Sequence, residues 1–347
     1  DPDLASQPTF SRFENCVSRT SLRRMAEVFI DQFVRRYVNR RECRIILDFD
    51  ATDDPAHGQQ QFVEFHGHYK EYCYLPLIVT AQVDDGPQEL LVAMLRPGNV
   101  DAAAYAVAIL KRLVPRLRQA CPKAEFLFRA DGGFARPEIY DWCEDDANRI
   151  DYEINLPQNP VLQRLAAPYL ELVHATHAET GQWERRFAEV LYQAKQWPQQ
   201  RRVVIKAEVT INDNGEPRDN PRFVVTNLTA GQAQAIYEHY GDRGEMENRI
   251  KELKRDLQMD RTSCHRFVAN QLRVFLHAAA YLFHCELRRQ LHGTSLSKAQ
   301  VSTLQRKLLK VALRIRETAR RIWLHFASSY PWQEVWALLL ERLRAAP

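Results

Sequence analysis

The chain has 347 residues, of which 45% are hydrophobic and 27% are charged, with 48 basic and 44 acidic side chains. This is the composition of an ordinary globular protein, and it excludes intrinsic disorder, collagen-like repeats and low-complexity architecture. The net charge of +4 is too small to indicate any class of partner.

The longest apolar stretch, 267–287, is interrupted by polar side chains, so no membrane span is expected. The seven cysteines are scattered and form no C-x-x-C motif, which argues against a disulfide framework or a cysteine zinc site and favours a reducing cytosol. Because the chain opens on Asp1-Pro2-Asp3 without an initiator Met, we expect further residues upstream.

Basic residues are concentrated in two blocks, 243–273 and 306–321. Such blocks in an otherwise balanced chain fit a polyanionic partner. On charge alone, a solvated helix face is the explanation to prefer.

The first half of the chain predicts helices and strands in alternation. Residues 1–42 are mostly helical in pattern, and Asp84-Asp85-Gly86-Pro87 predicts a turn within a hairpin. The predicted elements after residue 42 are strands at 43–50, 74–83 and 89–95, a helix from about 99 to 120, a strand at 126–131, a helix at 137–145 and a strand at 152–156.

The second half begins with a segment punctuated by prolines. Three β-like runs, at 187–192, 203–210 and 223–226, predict a β-rich insertion over 158–230. From Gly231 onward the pattern is largely helical, with predicted helices at 231–257, 265–291, 298–310 and 331–345. Residues 310–328 fit either a helix or a β-hairpin.

One helical stripe carries most of the chemical information. At about 100° per residue, a helix over 240–254 places a tyrosine, an arginine, a glutamate and two lysines on one stripe beside an apolar edge. These residues are Tyr240, Arg243, Glu247, Lys251 and Lys254. A carboxylate among cations at the rim of a buried edge suits a metal-and-phosphate site, and the pattern equally fits an amphipathic helix with routine salt bridges.

Acidic residues at the ends of predicted strands favour the first interpretation. Asp48 and Asp50 alternate and so share one face of a strand, and Asp131 ends a later strand. Together with Glu247 they could converge on a divalent cation, for which Mg²⁺ or Mn²⁺ is the natural choice with oxygen ligands. Two such ions can promote phosphodiester cleavage.

The element order resembles that of the ribonuclease-H-like fold. The spacing of Tyr240, Arg243, Glu247 and Lys254 resembles the tyrosine-arginine-glutamate-lysine (YREK) motif of DDE transposases from bacterial insertion sequences. Residues 47–54 and 129–134 resemble the segments that carry the two aspartates of that group.

The resemblance implies a mixed α/β fold class, in which a ribonuclease-H-like core is interrupted by a β-rich insertion and followed by a helical C-terminal region. It divides the chain into a helical N-terminal region that is truncated upstream, the first part of the core, the insertion, the core helix with the catalytic glutamate and the C-terminal region. The corresponding ranges are 1–42, 43–157, 158–230, 231–262 and 263–347.

The resemblance also implies roles for individual residues. Asp50, Asp131 and Glu247 would be the catalytic residues and the ligands of Mg²⁺ or Mn²⁺, with Asp48 as the alternative to Asp50. Residues that would hold DNA are Tyr240, Arg243, Lys251 and Lys254, and Trp183 or Trp197 would stack on a flipped base.

The implied function is a DNA transposase that binds terminal inverted repeats and cleaves DNA with a metal ion, either directly or through a hairpin, before 3′-OH strand transfer into target DNA. It would act as a homodimer on double-stranded DNA in the bacterial cytoplasm, associated with the nucleoid. No membrane and no nucleoside triphosphate are expected, since the chain has no phosphate-cradling glycine loop. The alternatives are a nuclease of the same fold without strand transfer and an inactive or domesticated transposase that only binds DNA.

Overall fold

The computed structural model describes residues 5–38, 40 and 42–345, without the side chain of Ala345. The first half contains, in chain order, α1 (Gln7–Asn15), α2 (Arg19–Tyr37), β1 (Arg44–Ala51), β2 (Asp54–Pro55), β3 (Glu64–His66), β4 (Glu71–Tyr74), β5 (Leu77–Val83), β6 (Glu89–Met94), α3 (Ala106–Ala120), β7 (Glu125–Ala130), a 3₁₀ turn (Gly132–Phe134), α4 (Pro137–Glu144) and β8 (Asp151–Asn155).

The second half contains α5 (Pro160–Thr180), β9 (Arg186–Tyr192), β10 (Arg201–Ala207), β11 (Val209–Ile211), β12 (Pro217–Asp219), β13 (Arg222–Thr226), α6 (Ala233–Gly241), α7 (Gly244–Lys251), a first π-helical segment (Glu252–Asp256), α8 (Phe267–Gln290), α9 (Val301–Leu304), a second π-helical segment (Gln305–Leu309), β14 (Leu313–Thr318), β15 (Arg321–Phe326) and α10 (Gln333–Ala345).

A mixed eight-stranded sheet with the order β6-β5-β1-β7-β8-β13-β10-β9 organises the molecule. β1 pairs antiparallel with β5 and parallel with β7, and β7 pairs parallel with β8. The five strands β6-β5-β1-β7-β8 thus have the order and directions of a ribonuclease-H-like sheet. The predicted mixed α/β fold class is confirmed.

The two faces of the sheet differ in polarity near its centre. Ile45, Leu47 and Phe49 of β1 face one side, where the apolar residues of α3 and α4 cover them. Because side chains alternate along a strand, Asp48 and Asp50 point to the opposite face, and both are buried. That face is covered by α6 over β10 and β13 and by α7 and α8 over β5 and β6. Polar side chains therefore lie beneath helices on one face of the central strands.

The segment predicted as a β-rich insertion begins with a helix instead. α5 spans 21 residues; Asn159 caps it, and Pro160 stands where a proline is tolerated, at its start. Its buried residues Leu162, Ala166 and Leu170 are four apart, so a narrow apolar stripe exists. The three predicted β runs do form strands, and they extend the central sheet through the antiparallel pairing of β13 with β8.

The helix predicted over 231–257 is divided into three parts. α6 ends at Gly241, α7 begins at Gly244, and the backbone N–H groups of Arg243 and Met246 bond to carbonyls only three residues back. Two glycines within four residues weaken the α-helix here. The first π-helical segment then follows α7. The residues predicted to form one stripe on a single straight helix therefore lie on three consecutive elements with different helical geometry.

In the described part of the C-terminal region, helices joined by turns are accompanied by a β-hairpin. Residues 310–328, which fitted a helix or a hairpin, contain the paired strands β14 and β15. The helix predicted over 298–310 is α9 followed by the second π-helical segment. No helix among the described residues is long and apolar enough to cross a membrane. The division of the chain into domains stays a prediction.

Candidate active site

Two of the acidic residues lie at the same edge of the sheet. Asp50 is the penultimate residue of β1, and Asp131 directly follows β7, its parallel neighbour. The Oδ1 atom of Asp131 accepts a hydrogen bond of 2.9 Å from the backbone N–H of Gly133. A Cβ atom at Gly133 would lie 2.8 Å from the Cβ of Ala102, so this close approach requires glycine.

Arg243 connects Asp50 to the third acidic residue. Its Nη2 atom lies 3.1 Å from Oδ2 of Asp50, and its Nη1 atom lies 3.4 Å from Oε1 of Glu247. Arg243 is buried, whereas the side chain of Glu247 is 56% exposed. The Nε atom of Arg243 has no hydrogen-bond partner among the described residues. A buried guanidinium therefore bridges a strand-end carboxylate and a helix carboxylate that faces solvent.

The environment of Asp50 is unfavourable to its ionised form. Burial raises the pKa of Asp50 to about 7, and the negative charges of Asp131 and Glu247 add to the increase, whereas Arg243 opposes it. A buried carboxylate in the field of two others gains from additional positive charge. The three acidic residues thus form one electrostatic group that a cation would stabilise.

Asp48 has a different role from Asp50. Its Oδ1 and Oδ2 atoms accept hydrogen bonds of 2.8 and 2.9 Å from Nε and Nη2 of Arg129, and Gln88 donates a third bond of 2.7 Å to Oδ2. Asp48 and Arg129 are register partners on β1 and β7, and both are fully buried. Since both oxygens are occupied by a fixed partner, Asp50 rather than Asp48 is the carboxylate available at this edge.

The Asp48–Arg129 pair extends into a network that holds α6. Nη1 of Arg129 donates to the carbonyl oxygen of His239 at 2.7 Å, and Nδ1 of the His239 ring lies 2.8 Å from Oε2 of Glu153 on β8. The carboxylate of Glu153 is buried. Because His239 directly precedes Tyr240, this network fixes the end of α6 above the sheet.

The remaining residues of the predicted stripe lie around this core. Burial raises the pKa of Tyr240, and the nearby charges of Asp131 and Asp50 contribute to the shift. Lys254 Nζ donates to Oδ1 of Asp53 at 2.8 Å, so it contacts the loop that follows β1. The side chain of Lys251 is exposed. Arg243, Tyr240 and Lys254 therefore surround the ends of β1 and β7, although they lie on different elements.

The two candidate stacking residues have different surroundings. Trp183 is partly exposed, and its ring stacks on that of His177 with centroids 3.7 Å apart. Trp197 is buried against Tyr140 and lies beneath the guanidinium of Arg201. Trp197 therefore belongs to the core, and the expectation that it could receive a base is wrong.

The three carboxylates have the chemistry that a divalent cation requires, but they are too far apart in this structure to bind one ion together. Asp50, Asp131 and Glu247 supply the hard oxygen atoms that Mg²⁺ and Mn²⁺ prefer. Among residues 5–38, 40 and 42–345, however, no three His, Cys, Asp or Glu side chains are close enough together to hold a metal ion. Arg243 occupies the position between Asp50 and Glu247.

The residues that sequence reasoning missed are the partners of the acids. Arg129, Gln88 and Glu153 were assigned no role, although alternation along the strand places Arg129 on the same face of β7 as Asp131. The available signal was a charged residue, Arg129, inside an otherwise apolar predicted strand, together with a second charged residue, Asp48, inside another. His239 could not be found in this way, because only the three-dimensional structure brings α6 over β8.

Comparison with known proteins identifies the family. The family model described as "Transposase DDE domain group 1" matches residues 1–347. No curated protein matches the chain. A cryo-EM structure of piggyBac transposase in a synaptic complex with hairpin DNA aligns with a TM-score of 0.41 and 13% identity over 80% of this chain and 55% of that chain.

A second solved structure, the NurA nuclease from Sulfolobus solfataricus, aligns with a TM-score of 0.29 and 10% identity over 81% of this chain and 98% of that chain. The present chain thus spans about half the length of the piggyBac chain, 55% by alignment. The match over the full length of the sequence shows that this chain belongs to the DDE transposase family, domain group 1.

Proposed function

We propose that the chain is the transposase of a bacterial insertion sequence, acting in the cytoplasm on DNA of the nucleoid. It binds the terminal inverted repeats of its element, cleaves DNA at the element ends and joins the freed 3′ ends to target DNA. Membership of the DDE transposase family supports the general activity. The bridge that Arg243 forms between Asp50 and Glu247, close to Asp131, is the observation that carries the assignment of the site.

In this proposal Asp50, Asp131 and Glu247 are the catalytic carboxylates that hold Mg²⁺ or Mn²⁺. The bound ions supply a stronger water nucleophile and stabilise the charge on the leaving oxygen. Glu247 is on the solvent-facing side of α7, so its side chain has room to turn towards Asp50. Asp131 is already fixed by the backbone of Gly133.

The cations of the site bind and orient the DNA backbone. Arg243 is held by two carboxylates, and it becomes available to a phosphate when those carboxylates acquire another cation. Lys251 is exposed on the same helix, and Lys254 lies near the end of β1. Tyr240 is fixed beside them by the network below α6, and the partly exposed ring of Trp183 offers a surface on which a flipped base stacks.

The reaction consists of two phosphoryl transfers, and each breaks a bond between phosphorus and a 3′ oxygen. In the first, a water oxygen bonds to phosphorus at the element end, the bond to the 3′ oxygen breaks, and that oxygen takes a proton. In the second, the freed 3′-hydroxyl loses its proton and attacks phosphorus in target DNA, where another 3′ oxygen leaves. A hairpin forms if the 3′-hydroxyl first attacks the opposite strand at the element end and a 3′ oxygen of that strand leaves. A second water then opens the hairpin and regenerates the 3′-hydroxyl that attacks target DNA.

The test uses a plasmid that carries the DNA natively flanking the gene, incubated with the chain and Mg²⁺ or Mn²⁺. We expect metal-dependent cleavage at the repeat ends and joined products, both of which Glu247→Gln abolishes. The matched control is Glu245→Gln, which removes an exposed carboxylate from the same helix turn, where it pairs with Arg249 and accepts a hydrogen bond from Asn248. Both variants remove one negative charge from α7, so a difference in their activity reports the position of the carboxylate and not the change in net charge.

The outcomes separate the proposal from its alternatives. Cleavage without any joined product would replace it with a nuclease that does not transfer strands. DNA binding without cleavage would indicate a chain that only binds DNA. Equal activity of Glu247→Gln and wild type would remove Glu247 from the site.

Two ends must be processed together, so we also propose that the chain acts as a homodimer on DNA. Sedimentation of the complex with end DNA is expected to show two copies of the chain. A complex with one copy that still cleaves both ends would contradict this part of the proposal.

A further inference from the structure

The hairpin formed by β14 and β15 projects from the C-terminal region with both faces exposed. Its base is attached to the rest of the region by Phe326, whose ring stacks on Tyr330 and contacts Trp336. An isolated two-stranded hairpin is marginally stable in water, so an exposed one indicates a surface that a partner contacts.

The register separates the side chains of the hairpin into two different faces. Arg314 pairs with His325, Arg316 with Trp323 and Thr318 with Arg321, and all of these lie on one face. The other face is formed by Leu313, Ile315, Glu317, Ile322, Leu324 and Phe326. The first face is thus basic and aromatic, and the single acidic residue of the two strands lies on the other one.

We propose that the basic face of this hairpin binds the phosphate backbone of double-stranded DNA, outside the catalytic centre, an inference that rests on the proposed function. Arg314, Arg316 and Arg321 form a compact positive surface, with Trp323 at its centre under the guanidinium of Arg321. Neighbouring arginines on one strand face stand about 6.6 Å apart, as residues two positions apart do.

Duplex DNA is the occupant that charge and shape favour. Arginine-rich surfaces gain most of their nucleic-acid affinity from phosphate neutralisation and the release of counterions. The major groove of B-DNA is wide enough to admit a two-stranded β-ribbon. A narrow projecting ribbon that is charged on one face meets both conditions.

The apolar face of the ribbon offers a competing explanation, contact with a second copy of the chain. Ile315 and Ile322 are 65% and 66% exposed. The two faces make opposite predictions for substitutions, because phosphate contacts depend on the arginines and on salt concentration, whereas apolar contact depends on the isoleucines and leucines and not on salt. Substitutions on each face therefore decide between the two.

The test measures how the affinity of the full chain for a short fluorescein-labelled duplex depends on KCl between about 50 and 200 mM. The triple variant Arg314→Gln/Arg316→Gln/Arg321→Gln is expected to reduce the slope of log affinity against log salt by about 0.9 for each phosphate contact, and so by about 2.7. The triple variant with lysine at the same positions keeps the charges and is expected to retain the slope.

The matched control from the apolar face is Ile315→Ser/Leu324→Ser, which is expected to leave the slope unchanged. If the wild type binds the duplex and the glutamine variant binds with the same slope, the hairpin proposal is wrong and the proposed function stands. If the apolar variant weakens binding equally at every salt concentration while the glutamine variant keeps the wild-type slope, the hairpin acts through its apolar face and the proposal is wrong. If the wild type does not bind duplex DNA at all, both proposals fail.

Discussion

Removing either partner of the Asp48–Arg129 pair is expected to destabilise the fold strongly. Asp48→Leu leaves a fully buried guanidinium without its carboxylate, and Arg129→Met leaves a buried carboxylate with Gln88 as its remaining donor. Breaking a buried pair from one side costs about 3–5 kcal/mol, because the remaining charge is neither solvated nor paired. The two hydrogen bonds between Arg129 and Asp48 are 2.8 and 2.9 Å long. Both have the length of well-formed charged hydrogen bonds, so we expect the full cost when either partner is removed.

The double variant Asp48→Leu/Arg129→Met is expected to cost clearly less than the sum of the two single variants, since it leaves no unpaired charge in the core. A loss of about 1–2 kcal/mol remains, because His239 loses the donor to its carbonyl oxygen. The exposed pair of Lys123 and Glu42 is the control, and its cycle is expected to give less than about 1 kcal/mol.

The assay is urea denaturation followed by the fluorescence of the six tryptophans, with free energies compared at constant m-value. Single variants that cost less than about 1 kcal/mol, or a double variant equal to the sum, would refute the reasoning. Asp48 would then not be a structural residue, and its exclusion from the catalytic set would lose its basis.

Three further predictions concern stability. Gly98→Ala places a Cβ 2.0 Å from the carbonyl oxygen of Cys73, so it is expected to cost at least about 1–3 kcal/mol in urea denaturation, while Gly241→Ala, in open space, costs nothing or stabilises; equal effects would contradict this. Burial raises the pKa of Asp54 from 3.8 to about 7, so wild-type stability falls as pH rises between those values, and Asp54→Asn is expected to flatten this fall between about pH 4 and pH 7; an unchanged fall would show that Asp54 ionises freely. Asp50→Asn removes a buried carboxylate whose pKa is raised from 3.8 to about 7, so it is expected to abolish cleavage and to reduce the fall in stability between about pH 4 and pH 7; an unchanged pH dependence of stability would contradict the assigned electrostatics.

The sequence was sufficient to predict the central strands because their apolar runs are short, separated by clear turns and ended by acidic residues. β1, β5, β6, β7 and β8 all coincide with predicted strands to within a few residues. Alternation along β1 also placed Asp48 and Asp50 on one face correctly. These features are local, so a single sequence contains them.

Features that depend on tertiary contacts were not predictable in this way. The buried Arg129 could be paired with Asp48 only once β1 and β7 were known to be neighbours in that register. The bend at 241–244 places Arg243 against Asp50, whereas a straight helix would have put it beside Glu247 alone. The choice between Asp48 and Asp50 followed from these contacts.

The helix α5 shows the opposite error, since a local signal was present and was overlooked. Asn159 followed by Pro160 is a typical start for a helix, and Asn159 caps α5 through hydrogen bonds to two backbone N–H groups. The second proline, Pro168, and the narrow apolar stripe obscured the helix. The strands that follow were predicted, but their addition to the edge of the central sheet at β8 was not.

The central claim is that Asp50, Asp131 and Glu247 together hold a divalent cation, and calorimetric titration of Mn²⁺ into the purified chain tests it directly. The account predicts saturable binding by the wild type and by Glu245→Gln. It predicts binding at least about tenfold weaker in Asp50→Asn, Asp131→Asn and Glu247→Gln, since a lost charged contact costs about 1.5–3 kcal/mol. Binding that is equally strong in all five proteins would place the metal elsewhere and contradict the account.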